Sequence, residues 1–109
     1  MNSISHAIAP SAPPIIIKAV PSSARTITIA WKRLPLRDRN GIITNYNITY
    51  YSSQWMHGNT IQADGAAISS IIDQLIPFTT YNITITAATI AGLGPASSSA
   101  FATTLQSGR

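Results

Sequence analysis

The chain of 109 residues is the size of one domain, with one modest hydrophobic core to bury. Only 9% of it is charged, against roughly 25% in ordinary soluble domains, and Glu is absent, so hydroxyls and amides must form the surface and the net charge of +4 reflects scarce acid. The lack of cysteine excludes disulfides and thiolate metal sites, and no apolar run approaches the roughly 18 residues that span a bilayer.

The opening MNSISHAIAPSAPP has neither the basic start nor the apolar stretch of a secretory leader, and the chain reads as one piece of a longer protein. Residues 1–12 are expected to be linker, a domain to fill 13–104, and 105–109 to lead onward as a second linker. A first strand is placed near Ile15 to Ala19. Thr26 to Trp31 then alternates with period two, which puts Ile27, Ile29 and Trp31 on one face and Thr26 and Thr28 on the other. Lys32, Arg33, Arg37 and Arg39 follow within eight residues, countered only by Asp38. Guanidinium forks suit sulfate and carboxylate, so these four are the candidate contact for an anionic partner, weighed against a plain solvated loop. No aromatic residue stands among them to stack a base, and nucleic acid is not expected.

Tyr46 to Tyr50 repeats the alternation, with Asn47 and Thr49 turned outward. The next segment, SSQWMHGNT, reads as a polar connection in which the alternation has ended. Its Trp55 is either an exposed partner contact or a cover folded back over the edge of the Tyr50 strand, and the second reading is favoured. A short strand is placed around Ala67 to Ile72, a longer one at Tyr81 to Ala87, and a last one near Ser97 to Thr104. Turn signals separate them at Pro21-Ser22-Ser23, Asn40-Gly41, Gly58-Asn59, Asp64-Gly65 and Gly92-Leu93-Gly94-Pro95. About seven strands, each with one wet face, indicate an all-β antiparallel sandwich.

Asn47-Ile48-Thr49 and Asn82-Ile83-Thr84 are glycosylation sequons, and the alternation turns both Asn side chains away from the core. Catalysis is not expected. His6 falls in the N-terminal linker and His57 in a loop, no paired carboxylates exist for acid and base work, and two distant His without Cys do not make a zinc site. The sequence therefore names no catalytic residue, no metal and no cofactor.

Leu75, Pro77 and Tyr81 look like a tyrosine corner, in which a ring near the start of a strand lies over the preceding turn and its hydroxyl bonds back to the backbone. With Trp31 in the second strand, Gly41, Tyr46 and the turn AGLGPAS, they give a chain that resembles the fibronectin type III family from Ala12 to Thr104. The resemblance implies a seven-stranded antiparallel immunoglobulin-like β-sandwich in which the strands of Asn47 and Asn82 are neighbours. It also implies a non-catalytic spacer and protein-interaction module of an extracellular receptor or adhesion protein, a monomer on its own, flanked by other domains of the same chain. Other cell-surface proteins and glycosaminoglycan are the expected partners. The alternatives are an accessory spacer of a secreted carbohydrate-active enzyme and a module of an intracellular structural array. The Arg-Gly-Asp tripeptide some members carry between the last two strands is replaced here by Ala91-Gly92-Leu93-Gly94-Pro95.

Overall fold

The computed structural model describes residues 8–107. Expectations that fall on 1–7 and 108–109, His6 among them, lie outside the described residues.

Two antiparallel sheets form a sandwich. The smaller contains β1 (Ile15–Pro21), β2 (Ile27–Lys32) and β5 (Ser69–Ile72), in the order β1-β2-β5. The larger contains β3 (Asn45–Ser52), β4 (His57–Asp64), β6 (Thr80–Thr89), the two-residue β7 (Gly92–Leu93) and β8 (Ala100–Thr103). In it β4 pairs β3, β3 pairs β6, and β6 holds β7 near one end and β8 near the other. The period-two pattern dictates the core. Ile27, Ile29 and Trp31 from β2, with Ile72 from β5, meet Tyr46, Ile48 and Tyr50 from β3 and Tyr81, Ile83, Ile85 and Ala87 from β6. Trp31 and Tyr46 interlock across the gap with ring centroids 5.1 Å apart. Each fully buried isoleucine contributes about 1.5–3 kcal/mol of transfer free energy, which sets the register, since a one-residue slip would turn the whole set to water.

One strand departs from the expectation. No strand is predicted over His57–Asp64, where His57 reads as loop and Gly58-Asn59 and Asp64-Gly65 as turns, yet the segment is an eight-residue strand paired in full with β3, from Asn45 opposite Asp64 to Ser52 opposite His57. It lies at the sheet edge, where one face and one side are wet, so its apolar side chains on the core are Ile61 and Ala63 and little apolar pattern is needed. Gly58 fits because a Cβ there would lie 2.3 Å from the carbonyl oxygen of Tyr50. The turn joining β3 to β4 closes with Met56 in the left-handed region at φ 52°.

The stretch after β2 contains a single helical turn, α1 (Leu36–Arg39), entered from Pro35 and ended by Asn40 at φ 57°. Residues 8–11 lie against it: Ile8 N–H donates to Asn40 O at 3.0 Å, Ser11 N–H to Asp38 O at 2.9 Å, and Asn40 Nδ2 to Ala9 O at 3.1 Å. Residues expected as linker are thus tied to the sandwich here. At the opposite pole, Leu105 N–H donates to Ser23 O at 3.2 Å, and Leu105 O accepts from Phe78 N–H at 3.0 Å.

Candidate functional site

Leu75 and Pro77 lie in the turn before β6, and Tyr81 in its first residues. Leu75 and Tyr81 are fully buried, and the Tyr81 hydroxyl accepts from Ile76 N–H at 3.0 Å, five residues upstream. Sequence reasoning missed a third member. His57, expected in a loop, begins β4 and places Nδ1 2.8 Å from the same hydroxyl, with its ring edge-on to Tyr81 at 5.9 Å. With one lone pair taken by Ile76, the phenol's single hydrogen is directed at Nδ1 when that nitrogen is unprotonated. Tyr50 completes the cluster, its ring 5.9 Å from Tyr81. Burial pushes the Tyr50 phenol above its ordinary value of 10.0, aided by the nearby Tyr81 and Asp73. Only the pairing of β4 with β3 brings His57 here, and no local signal in the sequence announces that.

The four cations do not form one patch. Arg33 and Arg39 share a cleft of ≈ 390 Å³ walled by Ile42, Tyr46 and Ala66. Arg33 Nη2 donates to Ala66 O at 3.0 Å and Arg39 Nε to Leu34 O at 2.8 Å, which anchors both forks and leaves further N–H groups on each. Lys32 lines a neighbouring depression with Asp38, which Arg33 borders as well, and the Asp38 carboxylate accepts from Ser11 Oγ at 3.3 Å. Arg37 lies exposed on the helical turn and lines neither hollow.

Trp55 is 54% exposed at the tip of the β3–β4 hairpin. The expectation that it covers the Tyr50 strand is overturned, because that strand is not an edge: β4 covers one side and β6 the other.

Asn47 and Asn82 lie on adjacent strands of one sheet and share its outer face, with Asn47 opposite Thr86 and Asn82 opposite Tyr51. Asn47 is half-buried, and its Oδ1 accepts from Asn45 Nδ2 at 2.7 Å. Asn82 is exposed. Thr49, Thr60 and Thr84 continue the polar face between them, with Thr49 and Thr60 hydroxyls 3.0 Å apart. Among the described residues no helix is long and apolar enough to cross a membrane.

Comparison with known proteins agrees with this architecture. The fibronectin type III domain family matches residues 11–103. The cell adhesion molecule DSCAM of Homo sapiens is 35% identical over 103 residues, which cover 90% of this chain and 5% of that protein. The tyrosine-protein phosphatase Lar-like of Caenorhabditis elegans is 29% identical over 118 residues, 89% of this chain and 5% of that protein. The chain thus spans about a twentieth of the length of these curated relatives. Among solved structures, the third fibronectin III domain of human KIAA0343 superposes with a TM-score of 0.84 at 20% identity, covering 99% of this chain and 94% of that one.

Proposed function

Because the chain belongs to the fibronectin type III family, we propose that it is a non-catalytic spacer and interaction module of a cell-surface receptor or adhesion protein, working outside the cell between neighbouring domains. The observation that supports this reading is where the first and last described stretches of the domain are bound. Ile8 is bound at the pole where β6 finishes, through its carbonyl and Thr89 Oγ1 at 2.9 Å, and Leu105 at the pole where β6 begins. The ten residues of β6 separate these poles by about 33 Å at 3.3 Å per residue. A unit entered at one end and left at the other sets its neighbours in line and at a fixed distance. The relatives named above as a cell adhesion molecule and a phosphatase devote only 5% of their length to the matching stretch, as expected of one unit in a long series.

Glycans on Asn47 and Asn82 would cover the outer face of the larger sheet and direct partners to the loop poles and the smaller sheet. The cleft between Arg33 and Arg39 is the favoured contact for an anionic partner such as sulfated glycosaminoglycan, since both guanidinium groups are held in place by backbone carbonyls before any ligand arrives.

Surface biotinylation of the full-length natural protein on intact cells tests the placement; a protein labelled only after the cells are lysed would refute it. For the cleft, heparin retention at physiological salt should drop when Arg33 and Arg39 are both changed to Ala and persist in Arg37→Ala. Equal retention of all three proteins would remove the cleft from consideration.

A further inference from the structure

We propose that Asn82 carries an N-linked glycan whose first N-acetylglucosamine seats between the rings of Tyr51 and Phe101 and so becomes part of the folded surface. Tyr51, Asn82 and Phe101 form one row across three strands: Asn82 of β6 is opposite Tyr51 of β3 on one side and opposite Phe101 of β8 on the other. Directly opposed residues on one face hold their Cβ atoms about 4.5–5.5 Å apart, so a sugar leaving the Asn82 amide is flanked by an aromatic ring on each side. The three residues line a shared open cleft of ≈ 260 Å³ together with Ser52, Ser53, Gln54 and Thr80.

Both rings lie bare among neighbouring positions of the same face that are Thr49, Thr80, Thr84 and Thr103, with Phe101 64% and Tyr51 42% exposed. The Tyr51 hydroxyl donates to Met56 Sδ at 3.1 Å. The C–H face of a pyranose ring presents positive edges to the negative face of an aromatic ring, the arrangement aromatic quadrupoles favour. A bound sugar therefore explains two apolar rings on a wet face by covering them. Asn47 is the internal contrast. Its row is Gln62, Asn47, Thr86, with no ring on either side.

This inference rests on the extracellular reading, because only a chain that enters the secretory pathway meets the glycosyl transferase. The experiment separates the two. The chain is expressed behind a heterologous leader in a eukaryotic secretory host with Asn47→Gln, so that Asn82 is the one sequon left. Peptide mass spectrometry reads occupancy, and an endoglycosidase trims the glycan to its first sugar. Asn82 should be occupied. The trimmed protein should melt about 4 °C above the unglycosylated Asn47→Gln/Asn82→Gln protein, and that increment should vanish when Phe101 is changed to Thr, which retains strand preference. Tyr51→Thr repeats the comparison from the other wall of the cleft. A bare Asn82 in this host rejects the site yet leaves the extracellular reading standing. Occupancy with an increment that survives both Thr variants rejects the seat between the rings. A natural protein confined to the cell interior would count against the extracellular reading without touching this geometry.

Discussion

Changing Tyr81 to Phe removes one oxygen from the core and leaves the ring, which tests the tyrosine corner separately from its packing. The ring is fully buried and keeps its edge contacts with Tyr50 and His57, both at 5.9 Å. What is lost is the acceptor for Ile76 N–H at 3.0 Å and the partner of His57 Nδ1 at 2.8 Å. A group left unsatisfied costs about 1–3 kcal/mol when buried. Both partners here are only part-buried, so the low end applies to each and the sum is about 2 kcal/mol. For a domain of this size that lowers the melting temperature by about 8–16 °C. Urea unfolding followed by Trp fluorescence should show the midpoint fall at unchanged slope, the sign that stability and not the denatured state has changed. A double-mutant cycle with His57→Leu should return a coupling of at least about 0.5 kcal/mol. A Tyr81→Phe protein within about 0.5 kcal/mol of the parent would show that the hydroxyl contributes nothing net, and the bonds would then be consequences of the fold, not causes of it.

Three further outcomes follow from the same coordinates. Tyr50 holds its proton more tightly folded than unfolded, so its contribution to stability is complete below about pH 10 and is lost as pH rises beyond that toward the folded value; Tyr50→Phe should flatten this part of a stability–pH curve, and an unchanged alkaline slope would refute the assignment. Gly65→Ala places a Cβ 1.9 Å from the carbonyl oxygen of Ile43 and 2.8 Å from its carbon, both backbone, and should cost about 1–3 kcal/mol by thermal melt; a neutral result would mean that the loop beside the Arg33 cleft yields freely. Trp55→Ala, at an exposed hairpin tip, should stay within about 0.5 kcal/mol of the parent, whereas a larger loss would restore the covering role that its position denies it.

The sequence revealed those parts of the fold in which burial writes a pattern. β2, β3 and β6 each alternate because one face is fully dry, and Leu75, Pro77 and Tyr81 mark their corner by spacing alone. β4 was illegible for the converse reason. An edge strand whose apolar contacts with the core are Ile61 and Ala63 needs no alternation, and Gly58-Asn59 and Asp64-Gly65, which read as turns, lie within the strand or at its end. His57 could not be connected to Tyr81, nor Phe101 to Asn82, because both relations are set by which strands pair and in what register. The basic residues were legible as a cluster in sequence but not as a divided one in space. Arg39 lines one cleft and Lys32 another, Arg33 borders both, and Arg37 lines neither.

If the unit stands in series with other domains, as proposed above, the ladder between β1 and β2 acquires a mechanical meaning. β1 runs from the pole of Ile8 toward the pole of Ser23, so tension drawn along the chain slides it lengthwise past β2, loading its bonds in shear together instead of peeling them one at a time. The slip in register between Ile16 and Lys18 divides that load. The two pairs at the entry end, Ile15 with Lys32 and Ile16 with Trp31, can rupture first, while the four from Lys18 to Pro21 still hold the sandwich shut.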